Sequence, residues 1–188
     1  MSEAASEAGG KAGHALKPEK VRKGDAKRER GNRTGFTTGA CSAAAARAAT
    51  LGLLLSEVPE TVVCHLPNGQ DVSFAVIDGS VEEMAGLAHA VIVKDAGDDP
   101  DATHGAHMTA DVRILRHRAG EVVLKGGPGV GVVTKDGLGL EVGGPAINPV
   151  PRRNIVDNVR AVAGELLEHD GLEVTISVPG GISGSGGA

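Results

Sequence analysis

The sequence predicts a mixed α and β (α+β) fold, and three observations carry that prediction. An alanine-rich run of strong helix propensity opens the foldable region. A second run near the far end repeats apolar residues at helical spacing. Between them lie short β-branched runs separated by turn residues. The expected order is a helix, a sheet containing at least one hairpin, a second long helix and a closing strand.

The first helix is expected in SAAAARAATLGLLL, after Arg33-Thr34-Gly35-Phe36-Thr37-Thr38-Gly39-Ala40-Cys41. Alanine favours helix, and Thr37 or Thr38 can cap the first turn with a hydroxyl. Strands are expected at 61–66 (TVVCHL) and 71–77 (DVSFAVI), joined through Pro67-Asn68-Gly69-Gln70, whose Asn-Gly is a hairpin signal. Cys64 alternates into the apolar face of the first of these. Further strands are expected at 88–94, 109–116 and 121–125. Ala146 to Arg153 (AINPVPRR) contains two prolines and is read as an extended, stiff segment that delivers two arginines to a helix over about 153–169. Ile155, Val159, Val162, Leu166 and Leu167 form one face of that helix. A last strand, 172–178 (LEVTISV), precedes Pro179.

A chain of 188 residues suits one domain, or one with a small extension. The core must be aliphatic, because the chain has two Phe and neither Tyr nor Trp. The same scarcity removes the stacking surface that single-stranded nucleic acids need. No run of about 18 or more apolar residues occurs, which argues against a membrane span, and the start of the chain has no apolar stretch of signal type. Cys41 and Cys64 lack zinc-ligand spacing, so a reduced, cytoplasmic protein is the simplest expectation. Residues 1–31 carry eight Lys/Arg against five Asp/Glu, whereas the rest carries 11 against 19. Residues 1–31 are therefore read as a disordered charged leader, 32–179 as the folded domain and 180–188 as a flexible Gly/Ser tail.

Chemistry concentrates in four places. The segment from Lys94 to Ala106 (KDAGDDPDATHGA) holds four carboxylates, a lysine and a histidine immediately after an apolar strand. Read alone it is better taken as a solvated acidic turn with Asp capping. The threonine-glycine turn before the first helix can hold a carboxylate or phosphate on free backbone N–H groups, or can simply cap the helix. The run from Gly126 to Gly139 (GGPGVGVVTKDGLG) is too irregular for a Walker loop, yet its glycines permit close backbone approach, and Thr134 and Lys135 add a hydroxyl and a cation. It reads equally as a glycine-rich connector. Arg152 and Arg153 at a helix start oppose the helix dipole, which suits an anion or carboxylate partner. His104 and His107 with Asp101 are a weak metal set, so no protein-bound metal is expected.

In order, RTGFTTGACSAAAA, LPNG, VKDAGDDPDATHGA, GGPGVGVVTKDGL and AINPVPR resemble the cobalt-precorrin-5B C(1)-methyltransferase family of anaerobic cobalamin biosynthesis, over about residues 32–179. The resemblance implies a family-specific fold rather than a Rossmann-type methyltransferase. It also implies methyl transfer from S-adenosylmethionine to C1 of a cobalt-bearing tetrapyrrole, giving cobalt-precorrin-6A. Cobalt would arrive within the substrate. Family members run to roughly twice this length, the size of a two-domain enzyme, so a C-terminal half is expected to be missing. A homo-oligomer or a separate C-terminal half is a possible partner, and neither nucleic acid nor membrane is expected as one.

The macrocycle bears many acetate and propionate arms, which need cations or N–H groups around an apolar floor. Arg33, Lys94, Lys135, Arg152 and Arg153 are the candidate cations. Thr34, Thr37, Thr38, Gly39, Gly97, Thr103, Gly129, Gly131, Thr134 and Asn148 complete the candidate binding set. Asp95, Asp98, Asp99 and Asp101 are candidates to hold the cationic donor. Asp95, Asp98, Asp99 and His104 are the candidate catalytic residues, for proton management as the macrocycle rearranges. Two other classes remain open: a non-catalytic corrinoid-binding fragment or part of a split enzyme, and a nucleotide-binding α/β enzyme using the 126–139 loop.

Overall fold

A computed structural model describes residues 37–94, 105–137 and 139–179, all within one compact unit, Thr34–Ala188. The fold is α+β. In chain order it comprises α1 (Thr38–Leu55), β1 (Thr61–His65), β2 (Asp71–Ala75), β3 (Asp78–Glu82), β4 (Leu87–Val93), β5 (His107–Leu115), β6 (Val122–Gly126), α2 (Pro149–Ala163) and β7 (Gly171–Ser177). Single turns of tighter helix follow β3 (Glu83–Ala85) and α2 (Gly164–Glu168).

β1 and β2 form an antiparallel hairpin of their own, with Thr61 opposite Ala75 and His65 opposite Asp71. The other strands form one sheet in the order β3-β4-β5-β7-β6, antiparallel except for the parallel β6–β7 pair. A parallel neighbour demands a crossover, and the 127–148 loop with α2 supplies it.

One face of this sheet is small and apolar. Ala88, Ala90 and Ile92 of β4, Met108, Ala110 and Val112 of β5, and Leu172, Val174 and Ile176 of β7 are all buried in the core. α1 lies on β4 and β5 with α2 beside it, and the hairpin closes the core through Val62, Cys64 and Phe74. Alanine facing alanine lets helix and sheet approach closely, which explains a core built almost without aromatic residues. The opposite face carries polar rungs. Glu173 takes Lys125 Nζ at 2.9 Å and Arg113 Nη2 at 3.1 Å, and His89 Nδ1 lies 2.8 Å from Asp111. The Lys125 hydrogen bond, with the nearby Arg113 charge, holds the Glu173 carboxyl below its usual range.

Three sequence expectations are corrected. α2 begins at Pro149, not near 153, so Arg152 and Arg153 sit inside the helix rather than at its start. Proline is allowed there because the first helical N–H groups have no intrahelical acceptor anyway. The same helix ends at Ala163, and a tighter turn carries the chain to Glu168. β3 was not expected. It is a short edge strand with four of its five residues exposed, so it has no alternating apolar signal. α1 is long and apolar enough by composition to cross a membrane, but its alanine surface is buried between the sheet and α2.

Candidate functional site

The helices bring their first turns together. Thr37 caps α1: its Oγ1 accepts from Ala40 N at 3.1 Å, and its carbonyl accepts from Cys41 N at 3.1 Å. A Cβ on Gly39 would lie 2.6 Å from Pro151 Cβ, so only glycine lets the start of α1 pass the start of α2 this closely. Two turns on, Arg47 Nη1 donates to Asn158 Oδ1 at 3.2 Å. Both contacts require α1 and α2 to run side by side in the same direction.

The glycine-rich loop reaches the same end of the sheet. Beyond β6 it keeps pairing with β7: Gly127 N donates to Ile176 O at 2.8 Å, and Val178 N donates to Pro128 O at 2.7 Å. Gly129 has φ +81 and lies against the Val178 carbonyl, where a side chain would collide with backbone. The returning arm folds back through Ala146 N to Gly131 O at 2.8 Å, then enters α2 at Asn148.

These elements enclose an open cleft of about 250 Å³. Its polar side comes from Thr38, Gly39, Ser42 and Asn148, and its glycine wall from Gly129 and Gly131. Val130, Ala146, Ile147, Pro151, Ile155, Ile176 and Val178 complete it. Ser42 is buried, and its hydroxyl donates to Thr38 O at 2.7 Å. Asn148 occupies the cap position of α2, but its side chain makes no capping bond. Among the described residues no ionisable side chain lines the cleft.

Five expected binding residues, Thr38, Gly39, Gly129, Gly131 and Asn148, thus meet in one cleft, although they come from three sequence clusters. Thr37 stands at its edge as the cap of α1. Thr134, Lys135 and Arg152 do not line it, and Lys94 is buried at the end of β4 rather than presented on a loop edge. Arg33, Thr34, Asp95, Gly97, Asp98, Asp99, Asp101, Thr103 and His104 lie outside the described residues. The two ends of the acidic segment are described. Lys94 N donates to Ala106 O and Gly105 N to Lys94 O, each at 2.8 Å. Met108, two residues further, contacts the cleft residue Ser42 (Oγ–Sδ 3.9 Å). Sequence reading missed Ser42, although it lies one helical turn beyond Thr38 on the same face. It also missed the apolar base, which ordinary core periodicity hides.

Cys64 lies below this region, buried against α1 with Sγ 4.0 Å from Ala40 O. Burial pushes its thiol up to about 11, partly opposed by Arg47. It is a core residue rather than a nucleophile. Among the described residues no His/Cys/Asp/Glu group could hold a metal ion.

An α+β domain with a glycine-walled cleft between two helix starts is not the dinucleotide-type architecture of common methyltransferases. Residues 25–185 match the CbiD family, and the chain belongs to it. It is 86% identical over 167 residues to a protein of Dechloromonas aromatica (strain RCB) named cobalt-precorrin-5B C(1)-methyltransferase, covering 89% of this chain and 42% of that relative. A protein of the same name from Methylococcus capsulatus is 68% identical over 155 residues, covering 82% of this chain and 40% of the relative. The crystal structure of a cobalamin biosynthesis protein (cbiD) from Archaeoglobus fulgidus matches with TM-score 0.55 and 26% identity, over 86% of this chain and 54% of that one. The chain therefore spans about two fifths of the length of these two curated relatives.

Proposed function

We propose that this chain carries the substrate-binding portion of an S-adenosylmethionine-dependent methyltransferase that methylates C1 of cobalt-precorrin-5B, giving cobalt-precorrin-6A in anaerobic cobalamin biosynthesis. The observation that carries the proposal is the cleft, where segments more than a hundred residues apart converge, together with the name shared by relatives of 65% identity and above. In the transfer, C1 of the macrocycle attacks the methyl carbon. The carbon–sulfur bond breaks, and sulfur leaves with the electron pair as a neutral thioether.

The protein's task in such a step is alignment and water exclusion more than proton chemistry. The cleft and its glycine wall would hold the macrocycle's edge. Asp95, Asp98, Asp99 and Asp101 would offset the donor's positive charge, and His104 would move a proton as the ring rearranges. Arg33, Lys135 and Arg152 would meet outlying carboxylates. Cobalt stays part of the substrate. The setting is cytoplasmic, and a second copy or a separately supplied C-terminal half completes the assembly where this chain alone does not turn over.

The test is incubation with cobalt-precorrin-5B and isotopically labelled S-adenosylmethionine, followed by mass spectrometry. Labelled product supports a complete active site in these residues. Saturable corrinoid binding without labelled product supports the second reading, a corrinoid-binding part of a larger enzyme. Neither binding nor product overturns both. In an active preparation, Asp98→Ala or His104→Ala should cut turnover at least about a hundredfold. Unchanged turnover in either folded variant removes that residue from the catalytic set.

A further inference from the structure

We infer that the cleft takes one carboxylate-bearing aliphatic arm of the macrocycle, and that the methyl donor binds elsewhere. This rests on the proposed corrinoid reading and names what enters the site.

Size gives the first argument. At about 250 Å³ the cleft is smaller than the roughly 300–1,000 Å³ of pockets that enclose drug-sized ligands. A tetrapyrrole ring cannot enter it, so only a substituent can. Chemistry gives the second. Ile155, Ile176 and Val178 make an apolar base that suits methylene groups. The opposite side offers the hydroxyl-bearing Thr38, the Asn148 amide left unused by its own helix, and the backbone of Gly39. The Ala40 and Cys41 N–H groups are already taken by Thr37, so the donors that remain in the first turn of α1 belong to Thr38 and Gly39, both in the cleft wall. An aliphatic stem ending in an anionic acceptor matches both sides at once.

S-adenosylmethionine also ends in a carboxylate on an aliphatic stem. Its carboxylate, however, sits beside an α-ammonium, with a sulfonium further along. Among the described residues no Asp or Glu lines the cleft, so no described side chain there would pair with either cation. A plain acetate or propionate arm brings a single negative charge, which the Thr38 and Gly39 N–H groups and the Asn148 amide can meet with hydrogen bonds.

Gly131 allows a clean test. A Cβ there meets only Ala146 Cβ at 3.4 Å, and its backbone is not in the left-handed region. Gly131→Val should therefore narrow the cleft without disturbing the fold, and Ala146→Leu narrows it from the neighbouring arm of the same loop. The full 188-residue chain would be titrated with three probes: a corrinoid whose side arms are free acids, the same ring with those arms amidated, and S-adenosylhomocysteine. The expected result is about tenfold tighter binding of the acid than of the amide, lost in Gly131→Val and in Ala146→Leu, with S-adenosylhomocysteine binding unmoved. Equal affinity for the two corrinoids overturns the cleft assignment and leaves corrinoid binding standing. So does an acid preference that survives both variants, or a loss confined to S-adenosylhomocysteine. Absence of saturable corrinoid binding overturns the assignment and the proposed function together.

Discussion

The two helices start side by side at the cleft and run in the same direction, yet they are built in opposite ways. α1 is alanine-rich and buried over nearly all of Ala40–Ala49, because it touches α2, the hairpin and the central strands together. α2 has one buried stripe, Asn154, Ile155, Asn158, Val159 and Ala163, with Asp157 and Arg160 exposed. α1 is started by a side-chain cap, whereas α2 is started by prolines whose fixed φ suits the first turn. Burial on every side leaves α1 no amphipathic pattern, so small side chains rather than an apolar stripe mark it as a core helix.

The difference can be broken most severely within α1. Ala44 is fully buried, and Ala44→Leu inserts three carbons where no wall can retreat. A loss of about 3 kcal/mol, or failure to fold, is expected in denaturant unfolding. The matching change on the open side of α2, Arg160→Leu, should shift stability by less than about 0.5 kcal/mol. Similar losses at both positions would mean that α1 is less tightly enclosed than its burial indicates.

Asn158 ties the two helices to the hairpin. Its Oδ1 accepts from Arg47 and from His65 N at 3.0 Å, and its Nδ2 donates to His65 O at 2.8 Å. Asn158→Ala leaves the His65 amide and carbonyl without these partners. A loss of about 2 kcal/mol is expected, read again by denaturant unfolding. A loss below about 0.5 kcal/mol would show that water replaces the amide and that packing alone holds the helices together.

The contrast also decides what the sequence could reveal. α1, a threonine cap at Thr37 or Thr38 and the Asn68-Gly69 hairpin were legible because each has a local cause. The start of α2 was not, because Pro149 and Pro151 are as compatible with an extended segment as with a first helical turn, and contact with Gly39 settles the choice. β3 was illegible because only pairing with β4 makes Asp78–Glu82 a strand. Five cleft residues stood in the candidate binding set, but as members of three separate clusters. Their convergence depends on the parallel helices and the β6–β7 crossover, which no local pattern encodes. Charge drew attention to Thr134-Lys135 and Arg152, whereas the described cleft is lined by backbone and uncharged side chains.

The smallest effects sharpen the comparison at the two helix starts. Thr37→Ala removes the oxygen that holds Ala40 N and should cost about 1 kcal/mol. Pro149→Ala removes no hydrogen bond, because proline has no N–H to donate. It loosens only the unfolded chain, for an expected cost of about 0.5 kcal/mol. It also adds a backbone N–H at the first position of α2, directly after the cleft residue Asn148. Thermal unfolding of both variants should therefore place Thr37→Ala below Pro149→Ala, while Pro149→Ala keeps or slightly strengthens binding of the acid corrinoid. If Pro149→Ala were instead the more destabilising change, the packing of its ring and not its fixed φ would be what starts α2. Both helix starts would then depend on side-chain contacts.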